Sequence, residues 1–328
     1  MNLPIFRQGL LFLIAPVLIA GCGPRHTPPS VPESVSADLF ILGDDASITG
    51  GVRISELFRS FVLELDRHID MGEKSVVEHS REILDRLGLD PETHDISFYV
   101  SMDVSDDDVV PSMVLRAPIP ETLLEKLAKE IDEFSRVDGP SDLESILDSE
   151  VPFFSISEDS TSFFVAQSSE LRLVASGSED HLAEMLARSH TTSPETPAGL
   201  FSMVGGADVW ASATDIPSIV TELSPDNLPV EISRILTSIV EAGASLEIQD
   251  ESALFSLYLK PKSEIEARDI SDLVRGGIAL LRMESEDQSL LLDFIERIRV
   301  SEYDGFSRVQ FQISELDLEE WAEIAFMD

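Results

Sequence analysis

The 328-residue chain has a single cysteine, Cys22. It therefore cannot close an intrachain disulfide, and its fold has to rest on a hydrophobic core. Lysine is scarce too, occurring only at Lys74, Lys126, Lys129, Lys260 and Lys262, against 62 Asp and Glu. The formal net charge is −39, which excludes partners that demand clustered Lys and Arg, nucleic acid above all. The carboxylates are spread along the chain and not gathered in one tail. Such a surface suits a salt-rich medium, where counterions screen self-repulsion.

Signatures of chemistry are missing as well. The histidines, His26, His68, His79, His94, His181 and His190, form no His-Glu-x-x-His pair. His79 and Glu82 stand one helical turn apart, but one His and one carboxylate do not fill a coordination sphere. Asp103, Asp106, Asp107 and Asp108 lack the Asp-x-Asp-x-Asp-Gly order of a calcium loop and read as a hairpin tip, where Asp is favoured. Ser-x-x-Lys is absent, and Ala175-Ser176-Gly177-Ser178-Glu179 only approaches Gly-x-Ser-x-Gly. Gly205-Gly206 and Gly276-Gly277 are not phosphate loops. Three tyrosines and two tryptophans are too few for a sugar-stacking platform, and Trp210 and Trp321 fall on expected core faces. The expectation is a protein with no catalytic set, no cofactor and no metal.

What is present begins at the amino terminus. Arg7 precedes an apolar run, residues 10–20, that has the length of a secretory h-region and falls short of the roughly 20 residues needed to span a bilayer. The run ends in Ile19-Ala20-Gly21-Cys22. This resembles the lipobox of bacterial lipoproteins, with a branched aliphatic, two small residues and the cysteine. The resemblance implies diacylglycerol on the Cys22 sulfur and removal of residues 1–21. Two or more acyl chains hold stably where one binds reversibly. The resemblance also implies a periplasm-facing protein, and Gly23, in place of a retention Asp, leans toward the outer membrane. Residues 22–37 are rich in Pro and Ser and read as a semi-extended tether.

Ordered structure is expected from Ala37–Leu42, read as a short strand, and then from helices after a Gly50-Gly51 turn. Ile54, Leu57 and Phe58 open the first helical face, and Val76, Ile83, Leu84 and Leu87 form a second that stops at Gly88. Alternation over 95–104 predicts a half-buried strand with Ile96, Phe98, Val100 and Met102 inward. A returning strand through Met113 and Leu115 follows. A helix from Pro120 through Leu123, Leu124, Leu127, Ile131 and Phe134 comes next. Strands are expected around 153–156, 163–165 and 171–174, then a helix capped by Ser178.

The Ser/Thr/Pro stretch 189–198 marks a boundary. Beyond it, Ala207-Asp208-Val209-Trp210 echoes Ala37-Asp38-Leu39-Phe40. A helix through Ile232, Ile235, Leu236, Ile239 and Val240, a hairpin over 246–259 and a helix through Ile270, Val274, Ile278 and Leu281 repeat the earlier order. A helix at Leu291–Ile298, a hairpin with an Asp304-Gly305 turn and a last helix capped by Ser314, with Leu318, Trp321 and Ala322 on its face, complete the chain. The expected fold class is α+β. It has two related units, 38–198 and 199–328, each an antiparallel sheet with helices packed on one face. This layout is similar to uncharacterised bacterial lipoproteins with a duplicated α+β unit, a likeness carried by Gly88-Leu89-Asp90-Pro91 and the two Ala-Asp openings. The functional expectation is a non-catalytic, membrane-anchored envelope lipoprotein acting as a binding or scaffolding module. Its partners would be the membrane, through lipid on Cys22, and an envelope protein. The alternative is a carrier holding a hydrophobic ligand between sheet and helices.

Overall fold

A computed structural model describes residues 28–43, 46–59, 81, 84–104, 109–130, 134–137, 151–158, 161–191, 199–214, 216, 237–249, 252–284, 289–314 and 317. The architecture is α+β with antiparallel strand pairing throughout the described ladders. Contacts divide the chain into two compact units, one holding residues 31–197 and the other residues 198–317.

The first unit opens with helix α1, Glu33–Leu42, where a strand over 37–42 and a tether up to 37 are expected. A short apolar run bounded by Gly43 fits either a helix or a buried strand. What decides it is the preceding sequence: Pro32 has the extended backbone of an N-cap, and Val35, Leu39 and Leu42 recur at helical spacing on the buried side. Strand β1, Ile48–Arg53, follows, and Gly50-Gly51 lies inside it, opposite Val100 and Tyr99. The glycines thus mark a strand interior with little side chain and not a turn. Next come helix α2 (Ile54–Arg59), strands β2 (Ser97–Val104) and β3 (Val109–Arg116), and helix α3 (Leu123–Glu130). Strands β4 (Phe134–Val137), β5 (Phe153–Glu158), β6 (Thr161–Ser169) and β7 (Arg172–Ser176) lead to helix α4, Glu179–Ser189. Phe134, expected on the α3 face, instead starts β4, and its ring stacks on Phe154 at 5.3 Å. The strands lie in the order β1-β2-β3-β7-β6-β5-β4.

Helices cover both faces of this sheet, a correction to the one-face expectation. On one side Phe58 of α2, Leu84, and Leu123 and Leu124 of α3 close over Phe134, Phe154 and Leu173. On the other, α1 packs on β2 and β3, and α4 packs on β6 and β7. Helix α4 buries Leu182, Met185 and Leu186, each contributing about 1.5–3 kcal/mol. Ser178 caps it, accepting from the His181 N–H at 3.4 Å. Ile96 is buried as expected, but along β2 itself the more deeply buried side differs from expectation. Ser97, Tyr99 and Ser101 are buried, while Phe98, Val100 and Met102 are half-buried. Helices α1 and α4 seal the polar side, and hydrogen bonds within the sheet, such as Ser112 Oγ to Ser176 Oγ at 3.1 Å, satisfy it.

The second unit contains helix α5 (Phe201–Val204) and strands β8 (Val209–Thr214), β9 (Ile239–Gln249) and β10 (Ser252–Pro261). Helices α6 (Glu264–Glu284) and α7 (Ser289–Arg297) and strands β11 (Arg299–Tyr303) and β12 (Phe306–Ser314) complete it. The order is β11-β12-β10-β9-β8. Ile270, Val274 and Ile278 of α6 and Ile295 of α7 pack over Leu257, Leu259, Val300, Val309 and Phe311. Asp304 and Gly305 have φ of 49° and 79°, as a two-residue type I′ hairpin turn requires. Ile239 and Val240, expected on a helix, begin β9, where branched side chains suit the pleat. The two Ala-Asp tetrapeptides are not equivalent either, since Ala37–Phe40 is helical and Val209-Trp210 starts a strand. Trp210 is buried, its ring edge-on to Phe201 at 5.0 Å. A Cβ at Gly206 would lie 2.4 Å from the Pro29 carbonyl oxygen, so part of the expected tether is packed on this unit.

Candidate functional site

The lipobox residues Ile19, Ala20, Gly21 and Cys22 lie outside the described residues, as do His26, His68, His79, Glu82, Asp106, Asp107, Asp108 and Trp321. The described residues bring no group of three or more His, Cys, Asp or Glu together as a metal would need. Asp103 and His190 are exposed. His94 Nδ1 accepts from the Asp90 N–H at 3.1 Å inside a turn. Asp90 also accepts from the Glu92 N–H and the Thr93 hydroxyl, which hold its carboxyl below the usual range. Ser314 accepts from the Asp317 N–H and donates its own N–H to Asp317, a reciprocal cap. No described helix is long and apolar enough to cross a membrane.

Polar chemistry concentrates instead on the side of the first sheet that faces α1. Strand register puts Arg53, Ser97, Arg116 and Arg172 in one row across β1, β2, β3 and β7. Arg116 and Arg172 are directly opposite each other, which destabilises a sheet unless an anion intervenes. Asp38 of α1 is that anion. It is wholly buried, with Arg116 Nη1 3.0 Å from Oδ2 and 3.3 Å from Oδ1, and Arg172 Nε donating to Oδ1. The clamp ties α1 to the sheet. Burial raises the Tyr99 phenol above its ordinary value and Asp38 adds to the rise, against Ser97, Arg53 and Arg116.

Beside this clamp is a shallow cleft lined by Ala37, Phe40, Ile41, Arg172, Arg188, Ser189 and Thr191. Arg188 donates from Nη1 to the Ile41 carbonyl at 3.1 Å and from Nη2 to Glu184 at 2.9 Å. It thus places a cation at the C-terminal end of α1, where the helix dipole favours one. Gly43 makes room for it. With φ of 95° it turns the chain, and a Cβ there would sit 2.7 Å from Arg188 Nη1. None of these arginines stands out in the sequence, because their convergence depends on strand register and on a helix where a strand is expected.

The second unit has a buried cation of its own. Arg308 is 1% exposed, lies 4.9 Å from the Tyr303 ring centre and donates from Nε to Ser301 at 3.2 Å. Tyr258 faces it in register, and burial raises the phenol despite that cation. Gln310 donates to Ser256 at 2.8 Å. These groups rigidify a sheet face.

No protein-family model matches the chain, and no curated protein does. Among solved structures, crystal form IV of the Treponema protein TP0453 is similar at 11% identity. It covers 88% of this chain and 95% of its own, with a TM-score of 0.49. Crystal form I of the same protein gives 12% identity, 91% and 98% coverage and a TM-score of 0.46. A likeness of that size shows neither a family nor a shared activity.

Proposed function

We propose that the chain is a non-catalytic envelope lipoprotein, anchored through lipid on Cys22 and acting as a binding or scaffolding module. The observation that carries this reading is Ile19-Ala20-Gly21-Cys22 at the end of an h-region. The packing of Pro29 against Gly206 supports a short connection: Cys22 to Pro29 is seven residues, at most about 25 Å of extended chain. Helix α6 supports the binding role. Ile265, Leu273, Leu280 and Met283 on it are 76%, 48%, 63% and 71% exposed, an apolar surface of the kind that marks interaction sites. The duplication belongs to the same proposal. In both units three antiparallel strands in succession lead to a helix, and the third strand pairs with the last strand of the unit (β3 with β7, β10 with β12). Two sibling units presented on one anchor suit a scaffold better than an enzyme.

The alternative, a periplasmic carrier of a hydrophobic ligand, is favoured by one observation. Phe98, Val100, Met102 and Met113 share one side of β2 and β3 and are only half-buried. Fractionation tests the main reading: the native chain should sediment with membranes, and Cys22→Ser should release it. A photo-crosslinker at Leu280 should then trap an envelope protein in native membranes. A wild-type chain that stays soluble overturns the anchor. Co-purification of a stoichiometric lipid with the Cys22→Ser protein promotes the carrier.

A further inference from the structure

The cleft between the C-terminal turns of α1 and α4 has one apolar wall and one cationic wall. Ala37, Phe40 and Ile41 form the first, and Arg172 and Arg188, with the hydroxyl residues Ser189 and Thr191, form the second. The charge around it does not balance. Arg116 and Arg172 share the single buried carboxylate of Asp38, and Arg188, paired with the exposed Glu184, adds a further cation at the rim. In a chain of net charge −39, such a local surplus of guanidinium groups runs against the composition of the whole surface.

The donors are not exhausted either. Among the described residues Arg172 donates only from Nε, to Asp38, which leaves the outer edge of its guanidinium for a ligand. Arg188 is held in place by the Ile41 carbonyl, while its Glu184 partner is 63% exposed and gives the pair little strength. An incoming anion can displace that carboxylate at small cost. We propose that this cleft binds a small anion, a carboxylate or phosphate group, through Arg172 and Arg188, with its apolar substituent against Phe40. Planar guanidinium groups on a fixed frame are suited to such recognition. Asp38 and Ile41 supply the frame by fixing the two arginines from behind. The site does not depend on lipidation at Cys22.

Isothermal titration calorimetry on the full chain in non-ionic detergent tests this, with inorganic phosphate, hexanoate and dihexanoyl phosphatidic acid as probes. At least one probe should bind saturably at one site per chain. Arg188→Gln should weaken it about tenfold or more, the scale of one charged hydrogen bond. This variant leaves both partners of Asp38 in place, and an unchanged melting temperature shows that the fold is kept. Thr191→Val, a second variant clear of the Asp38 clamp, should leave binding nearly unchanged, because the Thr191 hydroxyl already donates to the Ala187 carbonyl at 3.2 Å. Arg275→Gln, on the surface of α6, should leave it unchanged. The short phosphatidic acid binding more tightly than phosphate identifies a lipid headgroup as the source, equal affinities identify a free phosphate, and preference for hexanoate identifies a carboxylate. Saturation by none of the three, or equal weakening by Arg275→Gln, overturns the site. Cys22→Ser should leave the affinity unchanged, which separates this result from that of the anchor.

Discussion

Replacing Asp38 with alanine removes the anion between two opposed arginines. Truncating one side of a fully buried pair costs about 3–5 kcal/mol, because the remaining charge is stranded. Here the stranded groups are not fully buried: Arg116 and Arg172 keep 26% and 21% of their side chains exposed, so water relieves part of the penalty. The expected loss is about 2–4 kcal/mol after that discount. With a urea dependence of about 1–3 kcal/mol per molar, the midpoint for the first unit should fall by roughly 1–2 M. Far-UV circular dichroism reads that transition. Arg172→Met alone should cost less than Asp38→Ala, since Arg116 still holds the carboxylate. The double variant Asp38→Leu/Arg172→Met should recover part of the loss, because an apolar replacement strands fewer charges. A cost for Asp38→Ala below about 0.5 kcal/mol, the scale of an exposed ion pair, would refute the clamp.

Two glycines should respond in opposite directions. Gly206→Ala drives a methyl into the Pro29 carbonyl and should cost about 1–3 kcal/mol, with faster proteolysis near residue 29, whereas Gly276→Ala meets nothing within 4 Å on α6 and should gain about 1 kcal/mol. Tyr99 and Tyr258 should ionise above the ordinary tyrosine range when absorbance at 295 nm is followed with rising pH. Their folded values are raised, so their contribution to stability is whole below about pH 10 and is lost as pH rises through the folded values. Asp317 carries the opposite sign. Burial would raise it, but hydrogen bonds from Arg297 and Ser314 outweigh burial and lower it. Its contribution is present above about pH 3.9 and fades as pH falls through the folded value, and Arg297→Gln should shrink that acid-side loss in thermal melts.

Much of the framework was legible because it rests on local signals. The inner face of α6 follows from Ile270, Val274 and Ile278 at helical spacing, the β11–β12 turn from Asp-Gly, and the start of α4 from Ser178. Helix α1 was not legible, since its first turn lies in a Pro/Ser-rich stretch and its apolar end is too short for periodicity to separate helix from strand. The side on which β2 is buried was misread for a related reason. Alternation marks Phe98, Val100 and Met102 as one face, but α1 packs on β2 and buries Ser97, Tyr99 and Ser101 on the other. The arginine row is a product of register, which links residues 53, 116 and 172 only after the strands are aligned. Nothing in the local sequence announces Asp38 as the counter-ion that Arg116 and Arg172 share.

The most direct test of the account is the intact mass of the amino-terminal peptide isolated from native membranes. A peptide that begins at Cys22 and carries the added mass of diacylglycerol on its sulfur is the expected result. A peptide with an unmodified Cys22, or one that still includes residues 1–21, would contradict it.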